Sequence, residues 1–121
     1  MSDEYSVMRF DERGLIPAVV QDADSKAVLM LGWMNREAIA HTFATGLVTF
    51  WSRSRNELWE KGATSGNRLH LVEIRKNCEA NSFLVLARPE GPTCHTGHDT
   101  CYYRNFDPAS DLPAEAAPAS Q

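Results

Sequence analysis

The sequence is poor in the features that would place a chain outside the cell or in a membrane. Of its 121 residues only three are cysteine, an odd number that cannot pair off completely. No apolar run approaches the eighteen or more residues a membrane helix needs, and no charged-then-apolar leader stands at the start. The chain is therefore expected to be soluble and cytoplasmic, with no membrane partner, and disulfides are not expected in a reducing compartment. Surplus positive charge is lacking too. Twelve Lys and Arg against 16 Asp and Glu leave a net charge of -4, which argues against a general nucleic-acid binder. At this length the chain reads as one domain with a modest core, and association with a second copy would help bury its apolar surface.

What is there is concentrated in one stretch, Gly91-Pro92-Thr93-Cys94-His95-Thr96-Gly97-His98-Asp99-Thr100-Cys101. Two of the three cysteines and two of the four histidines fall within eight residues, bounded by Gly-Pro and broken by Gly97, so the backbone must turn here. Cys78 lies sixteen positions before Cys94, at the mouth of the strand-like run Phe83 to Ala87, which would carry the chain back to the cluster. Clustered thiols in a reducing cell read as a metal site or as ordinary buried thiols, and the turn-rich spacing favours zinc. Three protein ligands, Cys78, Cys94 and Cys101, with a fourth position open form the pattern of catalytic zinc. His95 or His98 closing the sphere would make the site structural.

Taken in order, Leu15 to Gln21 and Lys26 to Trp33 read as strands joined by a hairpin-like turn, Asp22-Ala23-Asp24-Ser25. The second run has no polar alternation and is expected to be buried on both faces, with Met30, Trp33 and Met34 as core packing. Asn35 caps an expected helix over Arg36 to Thr45 that Gly46 ends, with Ala38, Ile39 and Phe43 as its apolar stripe and His41 solvated or packed. Leu47 to Trp51 is a strand that delivers the chain into Ser52-Arg53-Ser54-Arg55. Alternation there sets both guanidinium groups on one face, unless the chain turns, and makes Arg53 and Arg55 a candidate phosphate clamp. The loop that follows, with Lys61, Thr64, Ser65, Gly66 and Asn67, supplies a cation, hydroxyls and flexible glycines suited to an oxyanion.

Arg68 to Arg75 is strand-like with a phase change that suggests a bulge or burial on both sides. In Lys76-Asn77-Cys78-Glu79-Ala80-Asn81, three oxygen-bearing side chains alternate around the cysteine. They read either as ligands for a hard cation such as magnesium or as a turn with neutral caps. Tyr102 to Phe106 is expected to close the fold of a domain spanning 1–106. Residues 107–121, rich in Ala, Pro, Ser and acid, are expected to be a disordered tail.

Several blocks in unbroken order over roughly residues 13 to 104 carry a resemblance. They are Trp33-Met34-Asn35 with Glu37-Ala38, Ser52-Arg53-Ser54-Arg55, Leu58-Trp59 with Lys61-Gly62, Thr64-Ser65-Gly66-Asn67, and Gly91-Pro92 with Cys94-His95-Thr96-Gly97 and Cys101. Together they resemble phosphoribosyl-AMP cyclohydrolase of histidine biosynthesis. The resemblance implies a hydrolase that opens the adenine ring of its nucleotide substrate between N1 and C6. It also implies an intertwined homodimer, with zinc held by cysteines matching Cys78, Cys94 and Cys101, the first contributed across the dimer. Combined with the strand pattern, the expected fold is α+β and strand-rich, a small open or partly closed β-barrel-like sheet with one main helix.

Zinc would supply a hydroxide near neutral pH, and His95, beside a ligand, is the candidate for proton transfer. Family members commonly carry aspartates that bind magnesium where this chain has Asn77, Glu79 and Asn81, so a second metal is expected to be weakly held or dispensed with. Some relatives continue into a pyrophosphohydrolase domain, and this chain is expected to perform one step. The competing reading is a zinc-stabilised module that binds a nucleotide without turning it over.

Overall fold

The computed structural model describes residues 6–114. In chain order these form β1 (Ile16–Asp22), β2 (Val28–Met34), α1 (Arg36–Thr45), β3 (Thr49–Ser52), β4 (Glu57–Glu60), β5 (Leu69–Lys76), β6 (Phe83–Pro89) and one helical turn, α2 (Pro108–Asp111). Four strands make a sheet in the order β2-β1-β6-β5, and β3 and β4 form a separate antiparallel pair. The fold is thus α+β and strand-rich. The sheet is open, and among the described residues there is no closed barrel. Of the tail, residues 107–114 carry α2, capped by an Asp107 carboxylate that accepts from the Ala109 amide at 3.0 Å. The remainder, 115–121, lies outside the described residues.

Local chemistry explains each boundary. The Asp22 carboxylate accepts from the amides of Asp24 (2.8 Å) and Ser25 (3.2 Å), closing the turn between β1 and β2. Asn35 Oδ1 accepts from the Ala38 amide at 2.9 Å to start α1. Gly46, at φ 75°, ends it by donating to the Thr42 carbonyl at 2.8 Å. The phase change in β5 is a bulge: the register with β6 shifts between Leu71 and Glu73, leaving Val72 over.

The core lies between the sheet and a cover made of α1 and the β3–β4 pair. Ile16, Ala18 and Val20 of β1, Met30 and Met34 of β2 and Val85 and Ala87 of β6 meet Ala38, Val48 and Phe50 there. Phe50, fully buried, sits against Gly32 so closely that a Cβ on that glycine would come within 2.4 Å of the ring. Helix α1 is fastened by Thr42. Its hydroxyl donates to the Ala38 carbonyl at 2.8 Å and accepts from the Thr49 amide of β3 at 3.0 Å.

Three sequence expectations are corrected. Strand β2 is not buried on both faces: it is the sheet edge, paired only with β1, and Val28 and Leu31 are 44% and 45% exposed. Phe43 does not join the stripe of α1. Ala38 and Thr42 form the buried face, with Ile39 partly covered, and Phe43 is 61% exposed. Tyr102, Tyr103 and Phe106 do not close the fold, since all three are exposed. On the outer face of the sheet, Leu31, Val19 and Leu84 are cross-strand partners in one row, the first two exposed and the third half-buried.

Thr42→Val keeps the shape and removes the acceptor of the buried Thr49 amide. It is expected to cost about 1–3 kcal/mol, read as a lower urea midpoint with an unchanged slope.

Candidate active site

Two loops meet at the C-terminal end of β6. The first is the cysteine loop, whose turns are closed by backbone bonds from Cys94 N–H to the His98 carbonyl (3.0 Å) and from Gly97 N–H to the Cys94 carbonyl (2.9 Å). It is pinned to the start of β2, where Cys101 N–H donates to the Leu29 carbonyl at 2.8 Å and the Thr100 hydroxyl to the Val28 carbonyl at 2.6 Å.

This folding brings two sulfurs together. Cys94 is buried, Cys101 is exposed, and the two thiols are near enough to shift each other's titration in opposite directions. The Thr96 hydroxyl donates to Cys94 Sγ at 3.0 Å, and the Thr96 amide points at the same atom. First the hydroxyl and then the amide hold the Cys94 thiol below its ordinary value, which favours loss of its proton. Cys101 is pushed the other way, by partial desolvation of its sulfur first and then by Cys94.

Thr96 is the hub of this loop. Its oxygen also lies 3.0 Å from His98 Nδ1 and 3.3 Å from Tyr103 Oη. A hydroxyl has one proton and two lone pairs. Its proton serves the Cys94 sulfur or Tyr103 Oη and its oxygen also pairs with His98 Nδ1, so one hydroxyl links all three side chains. The His98 and Tyr103 rings stack 3.6 Å apart, 4° from parallel, which holds both side chains in place.

The second loop follows β4. Gly62 adopts φ 85°, and a Cβ there would meet the Asn67 backbone at 2.4 Å, so the loop folds back on itself only with glycine. The Asn67 side chain packs in turn on Gly91, where a Cβ would come 2.4 Å from Asn67 Oδ1. Asn67 and Gly91 thus build the junction between the two loops, while Gly66, at φ 85°, donates its N–H to the Gly62 carbonyl at 2.8 Å within the second loop. Lys61 lies over the Trp59 ring at 5.4 Å, and its charge reaches both Cys94 and Cys101, favouring thiolate at each.

A cleft of about 390 Å³ opens between the loops, lined by Arg55, Trp59, Lys61, Thr64, Ser65 and His95 among others. Four of the expected anion-binding residues therefore share a cavity with the expected proton-transfer histidine. Arg53 and Ser54 do not join them. The chain turns after Ser52, whose carbonyl accepts from Asn56 N–H at 2.7 Å and whose hydroxyl accepts from Arg55 N–H at 3.2 Å. With Asn56 at φ 57°, strand alternation ends and the guanidinium groups part. Arg53 instead lies over the Trp33 ring at 4.4 Å in a second cleft of about 620 Å³, shared with Arg13, Trp51 and Ser54.

Sequence reasoning assigned Trp33 to the core and passed over Arg13 and Thr96. The available signal for Trp33 was alternation: buried Gly32 and Met34 on either side turn it toward the other face. Arg68 is engaged by Glu60 at 3.3 Å, and the second Glu60 oxygen takes His41 at 3.3 Å, so neither faces a ligand alone.

The third sulfur is elsewhere. Cys78 lies in the turn between β5 and β6, at the end of β6 opposite the cysteine loop. At about 3.3 Å per residue, the seven residues of β6 put about 20 Å between the two ends. Among the described residues no three His, Cys, Asp or Glu side chains are close enough to hold a metal ion. Within one chain, therefore, Cys78 does not join the other two sulfurs. Asn77 and Asn81, in the Cys78 turn, are bonded to each other and to backbone, with Glu79 as the only carboxylate of residues 77–81.

Comparison with known proteins gives this constellation a family. The family model described as phosphoribosyl-AMP cyclohydrolase matches residues 30–103, which include both loops and the Cys78 turn. The chain belongs to the phosphoribosyl-AMP cyclohydrolase family. It is 51% identical to the phosphoribosyl-AMP cyclohydrolase of Granulibacter bethesdensis over 86% of this chain and 81% of that one. With the enzyme of the same name from Lacticaseibacillus casei it is 54% identical, over 82% and 90% respectively. A histidine biosynthesis bifunctional protein of Bacteroides thetaiotaomicron is 50% identical over 87% of this chain and 53% of its own length. Among the described residues no helix is long and apolar enough to cross a membrane.

The donor chemistry fits part of a zinc sphere in a cyclohydrolase of this kind. Two sulfurs held by one loop, Cys94 with its pKa lowered and both under the field of Lys61, are donors of the kind zinc takes and could supply two of four positions. Thr96→Val is expected to raise the titration of Cys94 in metal-free protein, followed by thiolate ultraviolet absorbance. It should also weaken zinc binding about 10- to 100-fold in a chelator competition, while Thr96→Ser retains both.

Proposed function

We propose that the chain opens the adenine ring of phosphoribosyl-AMP between N1 and C6, using zinc held by Cys94 and Cys101 of one protomer and Cys78 of the partner subunit. The observation that carries this reading is the cleft that His95, next to Cys94 in the chain, shares with Arg55, Lys61, Thr64 and Ser65, with the charge of Lys61 acting on both sulfurs.

Bound there, zinc would bring the pKa of a coordinated water toward about 7. The chain's own residues account for the rest. Lys61, Arg55 and the hydroxyls of Thr64 and Ser65 hold one phosphate of the nucleotide. Arg53 and Arg13, in the neighbouring aromatic cleft, are suited to the other. His95 accepts a proton from the attacking water and returns one to N1 as the N1–C6 bond breaks, while the water oxygen remains on C6 as the carboxamide oxygen. A substituent on N1 leaves the ring carrying positive charge, and that makes C6 the more electrophilic carbon. The two clefts, with volumes in the range of small-ligand sites, match a substrate that has a phosphate at each end.

A homodimer follows from the same reading. The row Leu31, Val19 and Leu84 leaves apolar surface on the outer face of the sheet that a second copy would cover. Magnesium is not required by this mechanism.

Incubation of the purified protein with phosphoribosyl-AMP, followed by ring-opening absorbance, is expected to show turnover that a chelator abolishes and zinc restores. A nucleotide-binding module would show none. His95→Ala is expected to retain zinc and lose about 10²- to 10⁴-fold in kcat, and unchanged turnover would remove His95 from the reaction.

A further inference from the structure

The turn that carries Cys78 is shaped by amides and not by charge. Asn77 Oδ1 accepts from the backbone N–H of Asn81 at 2.8 Å and of Ser82 at 3.0 Å, so both its lone pairs are taken. Asn77 Nδ2 donates to Asn81 Oδ1 at 2.6 Å. Inside this clasp, Ala80 adopts φ 53° and its amide closes on the Asn77 carbonyl at 3.0 Å. The Ala80 carbonyl accepts from Arg9 N–H at 2.7 Å, tying the N-terminal segment to the turn.

The family resemblance implies a magnesium site at these positions, and the residues present do not fit one. Magnesium takes a near-octahedral set of hard oxygens, and its protein contribution is normally carboxylate. Residues 77–81 offer one carboxylate, Glu79, with Lys76 immediately before them. Two carboxylates at 77 and 81 would repel each other unless a cation sat between them. An amide N–H facing an amide oxygen attracts with no ion at all.

We propose that the Asn77–Asn81 clasp takes the place of a divalent cation in shaping the Cys78 turn, so that this protein neither binds nor needs magnesium there. The inference concerns the turn alone, and thermal unfolding reads it independently of whether the chain opens a purine ring.

The test follows the unfolding midpoint of the purified full chain with rising magnesium chloride, against potassium chloride at matched ionic strength. For the unaltered protein the two series are expected to coincide. Asn81→Ala, which deletes the acceptor, should lower the midpoint by the same amount at every magnesium concentration. The double variant N77D/N81D should unfold several degrees lower without magnesium and regain that loss saturably as magnesium is added. Should the double variant fail to fold without magnesium, adding magnesium chloride during its refolding is expected to recover the folded protein saturably. A saturable magnesium-dependent rise in the unaltered protein overturns the proposal, as does an Asn81→Ala midpoint equal to that of the unaltered chain. So does the absence of any magnesium response, in stability or in refolding, of the double variant.

Discussion

A β-strand is extended and cannot fold its ends together, and that constraint on β6 governs how this molecule can work. The strand starts beside the Cys78 turn and finishes at the cysteine loop, so its length keeps one sulfur apart from the other two. Pairing on both sides, with β1 in parallel and β5 antiparallel, removes any freedom to bend. A metal site that uses all three sulfurs therefore needs two chains. The exposed row on the outer sheet face and the small size of the domain point the same way. In this account, dimerisation and catalysis share one cause.

Within one chain, the cleft is assembled by linkages between its two loops. Asn67 packs on Gly91, Lys61 extends its charge from the anion loop to both sulfurs, and Thr96 binds Cys94 while ordering His98 and Tyr103. Glu60 restrains the other cations by holding Arg68 and His41. Lys61 and Arg55 line the cleft with Thr64 and Ser65, Arg55 also meeting Glu57 at 3.7 Å, and the charge of Lys61 favours thiolate at both cysteines. Positioning and electrostatics thus arise from the same few contacts.

The elements that could be read in the sequence are those set by local chemistry. The bounds of α1 follow from one cap at Asn35 and one left-handed residue at Gly46. The bulge in β5 showed as a change of apolar phase around Val72. The anion loop and the cysteine loop were legible as composition, because glycine, hydroxyls and soft ligands were crowded into short stretches. What could not be read depends on neighbours far along the chain. The apolar run of β2 looks the same whether one or both faces are covered, and only the strand order makes it an edge. Arg53 and Arg55 part because Ser52 accepts two backbone amides, a turn that alternation cannot foresee. Phe43 is apolar in a helix whose partner surface happens to meet Thr42 instead. The separation of Cys78 from its two counterparts is a property of topology, invisible in spacing alone.

The shared metal site is tested most directly by mixing two inactive proteins. Cys78→Ala and Cys94→Ala each spoil both sites of their own homodimers, but a mixed dimer rebuilds one complete site from the intact residues of each chain. Unfolding and refolding the two variants together, then assaying ring opening and bound zinc, is predicted to recover both in the mixture and neither in the separate samples. A mixture as inactive and as poor in zinc as its components would contradict a site built from two chains.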